Sequence, residues 1–193
     1  MPGVAGRDPH PVPSWDAARE RQVVDGHAED PRPAMRHPRH AAEEVADELG
    51  ATVASSLEEA LAADVVATVT PGAELLFGPG SLRAGQHVSL MGADGPGKAE
   101  IAVEELARVR VFCDDWDQAS HNGDLLHAVE AGVLPQGAVS ELGAVLAGRE
   151  AGRLNDDDIT VFDSTGLAIQ DLAVALAAQE RLAELEDVPV FEL

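Results

Sequence analysis

The stretch HVSLMGADGPGKAE, residues 87–100, changes character at its middle. Its first five residues are mostly apolar and predict a buried strand, residues 87–91. Gly92, Gly95, Pro96 and Gly97 then crowd into a short space. Glycine opens backbone angles closed to other residues and proline fixes its own φ, so a tight loop able to approach a ligand closely is expected. That loop also carries one acid, Asp94, and one ammonium, Lys98. Open α/β sheets gather their chemistry at the carboxyl ends of strands. Asp94 is therefore the first candidate for a functional group, against the plainer reading of a solvated turn.

Outward from this stretch, strands and helices alternate. Further strands are expected at residues 51–54, 64–70, 109–113 and 159–162. The run at 64–70 is β-branched and reads as buried on both faces. Helices are expected at 41–49, from 56 onward, and at 99–107, 124–131, 139–147 and 166–185. Ser56 and Glu59 have the spacing of a capping box. In the last helix Ile169, Leu172 and Leu176 share one face. Such alternation implies parallel β/α units, hence an α/β fold with helices flanking a parallel sheet.

Composition narrows the function. The chain has 193 residues, 13 basic and 35 acidic, for a formal charge of −22. Nucleic acid and anionic membrane surfaces both demand Lys and Arg, so neither is an expected partner. Acidic surfaces suit high salt, where self-repulsion is screened, and a halophile's cytoplasm is the expected setting. No apolar run reaches transmembrane length. Aromatic residues make up 3% of the chain, so the core is expected to be mostly Ala, Val and Leu. The histidines do not cluster, no Cys/His set has zinc spacing, and Asp156-Asp157-Asp158 reads as a solvated loop; no metal is expected.

The first 40 residues differ from the rest. They hold six Arg, six acids and seven of the twelve prolines, leaving 7 basic and 29 acidic residues to carry the whole charge. Proline at that density opposes helix interiors and central strands. Residues 1–40 are expected to be irregular, 41–150 to form a nucleotide-binding domain, and 151–193 to add a strand and a long helix.

Five blocks carry a resemblance: HAAEEVADELGATV (40–53), ADVVATVTP (63–71), GPGSLRAGQHVSLMGADGPGKAEI (78–101), NGDLLHAVEAGVLP (122–135) and GREAGRLNDDDITVFDSTGLAIQDLA (148–173). In order and spacing they resemble the second half of the ornithine cyclodeaminase/mu-crystallin family, which includes an archaeal-type alanine dehydrogenase. The third and fifth blocks are the specific ones. The resemblance implies part of a Rossmann-type sheet binding NAD, with NADP as an alternative. It implies a homodimer in full-length members and an amino- or imino-acid substrate.

By the same resemblance Asp94 is the proton donor/acceptor beside the substrate's amino-bearing carbon. Thr70, Met91, Gly92, Ala93 and Ser164 would contact the cofactor and Thr165 the substrate. Lys98 would anchor a cofactor phosphate or pair with Asp94. From the residues alone, Ser164 and Thr165 read as hydroxyl caps for the last helix, and Asp163 as structural. The family's G-x-G-x-x-G/A turn, which seats a pyrophosphate on a helix N-terminus, is not in this sequence. Residues 1–40 are accordingly expected to be a truncated or frame-shifted beginning. The implied chemistry is NAD-dependent conversion of ornithine to proline and ammonia. Alternatives are the alanine dehydrogenase or ketimine reductase reaction, and a non-catalytic fragment.

Overall fold

The structure, a computed structural model, describes residues 22–23, 38–70, 74–92, 95 and 97–182. The chain divides into two compact units that meet between residues 60 and 61. In the first, strand β1 (Gln22–Val23) pairs in parallel with β2 (Thr52–Val53), and helix α1 (Pro38–Leu49) connects them. Ala42 and Ala46, one turn apart, are the buried residues of α1. Gly50, at φ +61°, stops that helix, and the amide of Ala51 donates to the carbonyl of Ala46. Most of the proline-rich segment, residues 1–40, lies outside the described residues.

Helix α2 (Leu57–Leu61) follows. Its capping box is half of the expected one. The amide of Glu59 donates to the Ser56 hydroxyl, but the Glu59 carboxylate reaches back to the amide and hydroxyl of Ser55.

The second unit is built on a five-stranded parallel sheet. Its strands are β3 (Val65–Thr68), β4 (His87–Leu90), β5 (Arg110–Cys113), β6 (Val139–Glu141) and β7 (Thr160–Asp163), in spatial order β3-β4-β7-β5-β6. The last strand to be made thus lies at the centre. One face of the sheet packs Val66, Val88, Leu90, Val111, Cys113 and Val161 against Phe77, Ile101, Leu106, Leu125 and Ala128. Helices α3 (Val103–Leu106), α4 (Trp116–Asn122) and α5 (Leu126–Glu130) supply part of that layer. Strand β3 is not buried on both faces as its composition suggests. Val66 and Thr68 are buried and Val65 is 48% exposed, so the strand alternates.

Two helix assignments shorten for identifiable reasons. Residues 99–102 are not helical, because the backbone of Ile101 bridges to Phe77 and the Glu100 carbonyl accepts from the amides of Leu76 and Phe77. Residues 139–147 split into strand β6, where Val139 pairs with Val111, and helix α6 (Leu142–Leu146). Helix α4 was not expected. Its start is fixed by Asp115, whose side chain accepts from the Gln118 amide at 2.9 Å.

Helix α7 (Ala168–Leu182) follows β7 after a short connection. None of its residues is buried, and Ile169, Leu172 and Leu176 are all more than half exposed. Among the described residues no helix is long and apolar enough to cross a membrane.

Candidate functional site at the carboxyl edge of the sheet

Because all five strands are parallel, their carboxyl ends share one rim. Thr70 follows β3, Met91 and Gly92 follow β4, Asp114 follows β5, and Ser164 and Thr165 follow β7. The rim is tied together by backbone. The Met91 amide donates to the Thr68 carbonyl, and the Ser164 amide to the Leu90 carbonyl, each at 2.9 Å.

Gly92 is wedged against β3. A Cβ there would stand 2.1 Å from the Thr70 carbonyl oxygen and 3.1 Å from Oε1 of Glu100. No other residue fits without moving backbone. Met91 beside it is half exposed, and Lys98 is half-buried further along the loop. Ala93 and Asp94 lie outside the described residues.

Two acids, one fully buried and one half-buried, hold the hydroxyls of this rim. Glu100, fully buried, accepts from the hydroxyls of both Thr68 and Thr70. Asp114 is the second anchor. Its carboxylate accepts from the Ser164 hydroxyl at 3.0 Å, the Thr165 hydroxyl at 3.3 Å and the Gly166 amide at 2.9 Å. The capping expectation for Ser164 and Thr165 is therefore corrected. Both hydroxyls donate across to β5, and α7 begins only at Ala168, with the Leu167 amide donating to the Gln170 side chain. Gln118 completes this corner by donating to the carbonyls of Thr165 and Gly166.

Beneath the rim lie two further carboxyls. Asp163 is fully buried at the end of β7, and its Oδ2 accepts from the Leu125 amide at 3.3 Å. Asp124 accepts from the Glu100 amide at 2.5 Å. Loss of solvation pushes Asp163 up to about 8, with repulsion from Asp124 adding to it. Burial likewise pushes Asp124 up to about 6. Among the described residues Oδ2 of Asp124 and Oδ1 of Asp163 have no hydrogen-bond partner.

The structure thus gathers Thr70, Met91, Gly92, Ser164 and Thr165 along one edge. The sequence reading missed Glu100, Asp114 and Asp124, the acids that fix these residues. A single acid, whether just beyond a strand as Asp114 is or in a connecting segment as Glu100 and Asp124 are, carries no periodic signal. Only the position of Glu100 at the end of the Gly/Pro loop hinted at its part.

A model of the ornithine cyclodeaminase/mu-crystallin family matches residues 29–186. The chain belongs to that family. The match opens inside the proline-rich segment, ahead of the block that begins at His40. Alanine dehydrogenase of Archaeoglobus fulgidus is 44% identical over 124 residues, which cover 64% of this chain and 38% of that protein. Ornithine cyclodeaminase of Agrobacterium tumefaciens is 33% identical over 127 residues, covering 64% of this chain and 34% of that one. The crystal structure of iminosuccinate reductase of Paracoccus denitrificans in complex with NAD+ superposes with a TM-score of 0.67 at 36% identity, covering 78% of this chain and 46% of that one. This chain therefore spans less than half of each of these relatives. The part of the family fold it shares is the C-terminal part.

Proposed function

We propose that this family member carries the nicotinamide side of a dinucleotide site. Its chemistry would be hydride transfer at the amino-bearing carbon of a small amino or imino acid. The observation that carries the reading is the convergence of Thr70, Gly92, Ser164 and Thr165 on one rim of a parallel sheet. A flat ring needs close backbone approach, and Gly92 offers a surface with no side chain. Hydroxyls held by the carboxylates of Glu100 and Asp114 are fixed before a ligand arrives, which lowers the cost of ordering them.

When bound, NAD supplies the hydride acceptor or donor. Met91, Gly92 and Ala93 would line the ring, Thr70 and Ser164 would hold it, and Lys98 would meet a phosphate. Thr165 would hold the substrate. Asp94 would take and return the proton at the reacting centre, a role that needs a carboxyl beside the amino-bearing carbon, which gains or loses hydride while its nitrogen gains or loses a proton. Identity is higher to the alanine dehydrogenase than to the ornithine cyclodeaminase, which favours the dehydrogenase or imine-reductase reaction over ring closure.

A second reading is favoured by one feature of the sequence. Pyrophosphate binding in such folds rests on amides at a glycine-rich turn, and G-x-G-x-x-G is missing here. On that reading the chain alone holds the cofactor weakly and does not turn over, because catalysis needs the whole site in place.

Calorimetric titration with NAD and NADP in high salt tests the site, and micromolar binding of either supports it. No heat with either overturns it. Assays with alanine, with pyruvate plus ammonia, and with ornithine then separate the reactions. Asp94→Asn should keep the binding heat and lose turnover.

A further inference from the structure

We propose that Glu100 is a positioning residue: with Thr70 it forms a clasp that fixes the carboxyl ends of β3 and β4 against each other. Gly92 and Glu100 bound the Gly/Pro loop, and both meet Thr70. At one end the Thr70 carbonyl fills the space beside the Gly92 Cα, and at the other the Thr70 hydroxyl donates to Glu100 Oε1. The second oxygen of the same carboxylate takes the Thr68 hydroxyl, so one side chain grips the last residue of β3 and the residue two positions beyond it.

The glutamate itself cannot drift. Its amide donates to Asp124, and its carbonyl accepts from the amides of Leu76 and Phe77 at 2.7 and 2.9 Å. Bonds to a carboxylate are about twice as strong as neutral ones, and here they form out of water. A carboxylate only accepts, so both threonine protons point inward. An amide at the same place offers one acceptor and one donor group, so one threonine must turn round. The inference deepens the nucleotide-site reading and rests on it only for its effect on cofactor binding.

The test compares the wild type with Glu100→Gln, Thr70→Val, Thr70→Ser and the Thr70→Val/Glu100→Gln double variant. The readout is NMR-detected amide exchange at Met91 and Gly92 without any ligand. Glu100→Gln and Thr70→Val should each speed exchange there about tenfold, while amides of β5 and β7 keep wild-type rates. Thr70→Ser, which retains the hydroxyl, should match wild type. The double variant should be no faster than Glu100→Gln alone, because the Thr70–Glu100 contact is already disturbed there. Unchanged exchange in Glu100→Gln, or effects that simply multiply, would overturn the clasp. Should Glu100→Gln not fold, the Thr70→Val and Thr70→Ser pair decides the matter by the same criterion. In NAD titrations Glu100→Gln should bind about tenfold more weakly than wild type. If wild type takes up no NAD, the cofactor reading fails, while the exchange rates still decide the clasp.

Discussion

Gly123 and Asp163 are pressed together at the turn between α4 and α5: a Cβ on Gly123 would stand 2.2 Å from Oδ2 of Asp163 and 2.8 Å from Cγ2 of Thr165. Its φ of −97° suits any residue, so the requirement is space alone. Gly123→Ala must displace a buried carboxylate or the end of β7. Such overpacking costs about 1–3 kcal/mol. Urea denaturation should show that loss. Gly143→Ala, where a Cβ meets nothing within 4 Å, should show none of it.

Stability should fall as pH rises, the reverse of the common acid-denaturation pattern. In the unfolded chain Asp163 and Asp124 titrate near 3.8, while in the fold they are pushed up to about 8 and about 6 by burial. The folded form therefore holds protons more tightly than the unfolded one. The neutral carboxyls impose no penalty below about pH 4. Above it, stability declines until the pH has passed about 8, by up to roughly 1.4 kcal/mol per pH unit for each group still protonated only in the fold. Self-repulsion of the −22 charge acts in the same direction. Glu59 and Asp158, lowered by hydrogen bonds, pull the other way, but near the surface they count for little. His87, lowered by burial, also opposes the trend, by releasing its proton on folding. Urea midpoints at pH 5 and pH 8 should differ by on the order of 3 kcal/mol. Asp163→Asn should flatten the difference, and an equally steep Asp163→Asn profile would refute the assignment.

Cys113 should be chemically silent in the fold. It is completely buried at the end of β5, and loss of solvation, helped by Glu141, Asp114 and Asp163, pushes its thiol up to about 12. The thiolate is the reactive form. A disulfide reagent at pH 8 should label the native protein at least a hundredfold more slowly than the urea-unfolded one. Rapid native labelling would contradict this packing.

Asp114 should matter more than either hydroxyl it holds. It receives Ser164, Thr165 and Gly166 together, besides the amide of Asp115 at 2.9 Å. Asp114→Ala leaves those donors without their acceptor, and the expected cost is about 1–3 kcal/mol. Ser164→Ala removes one bond to a charged group and should cost less. Thermal unfolding of the two variants gives the order directly, and the reverse order would show that the carboxylate is not the organising group.

The sequence was legible where local pattern and tertiary role agree. The apolar runs at residues 64–70, 87–91 and 109–113 became β3, β4 and β5 because β-branched and apolar side chains suit a packed sheet. Residues 139–147 misled for a physical reason. Leu142 and Val145 sit at helical spacing, but Val139 is claimed by the exposed edge of β5, and strand pairing prevails over helix propensity there. At the rim, the strand-end positions of Thr70, Gly92, Ser164 and Thr165 could be read ahead of the structure. Their anchors could not. Glu100 reaches Thr68 and Thr70 across some 30 residues of sequence, and Asp114 reaches Ser164 across 50. Contacts of that range depend on strand order, which no local pattern encodes.

Strand order has a further consequence for how this protein comes into being. Among the described residues β7 alone joins the β3–β4 pair to the β5–β6 pair. Until Thr160–Asp163 has left the ribosome, the nascent chain holds two half-sheets with a strand-wide gap between them. The five-stranded sheet therefore cannot close before then, and a nonsense mutation before residue 160 should leave the edges of β4 and β5 open and prone to aggregate.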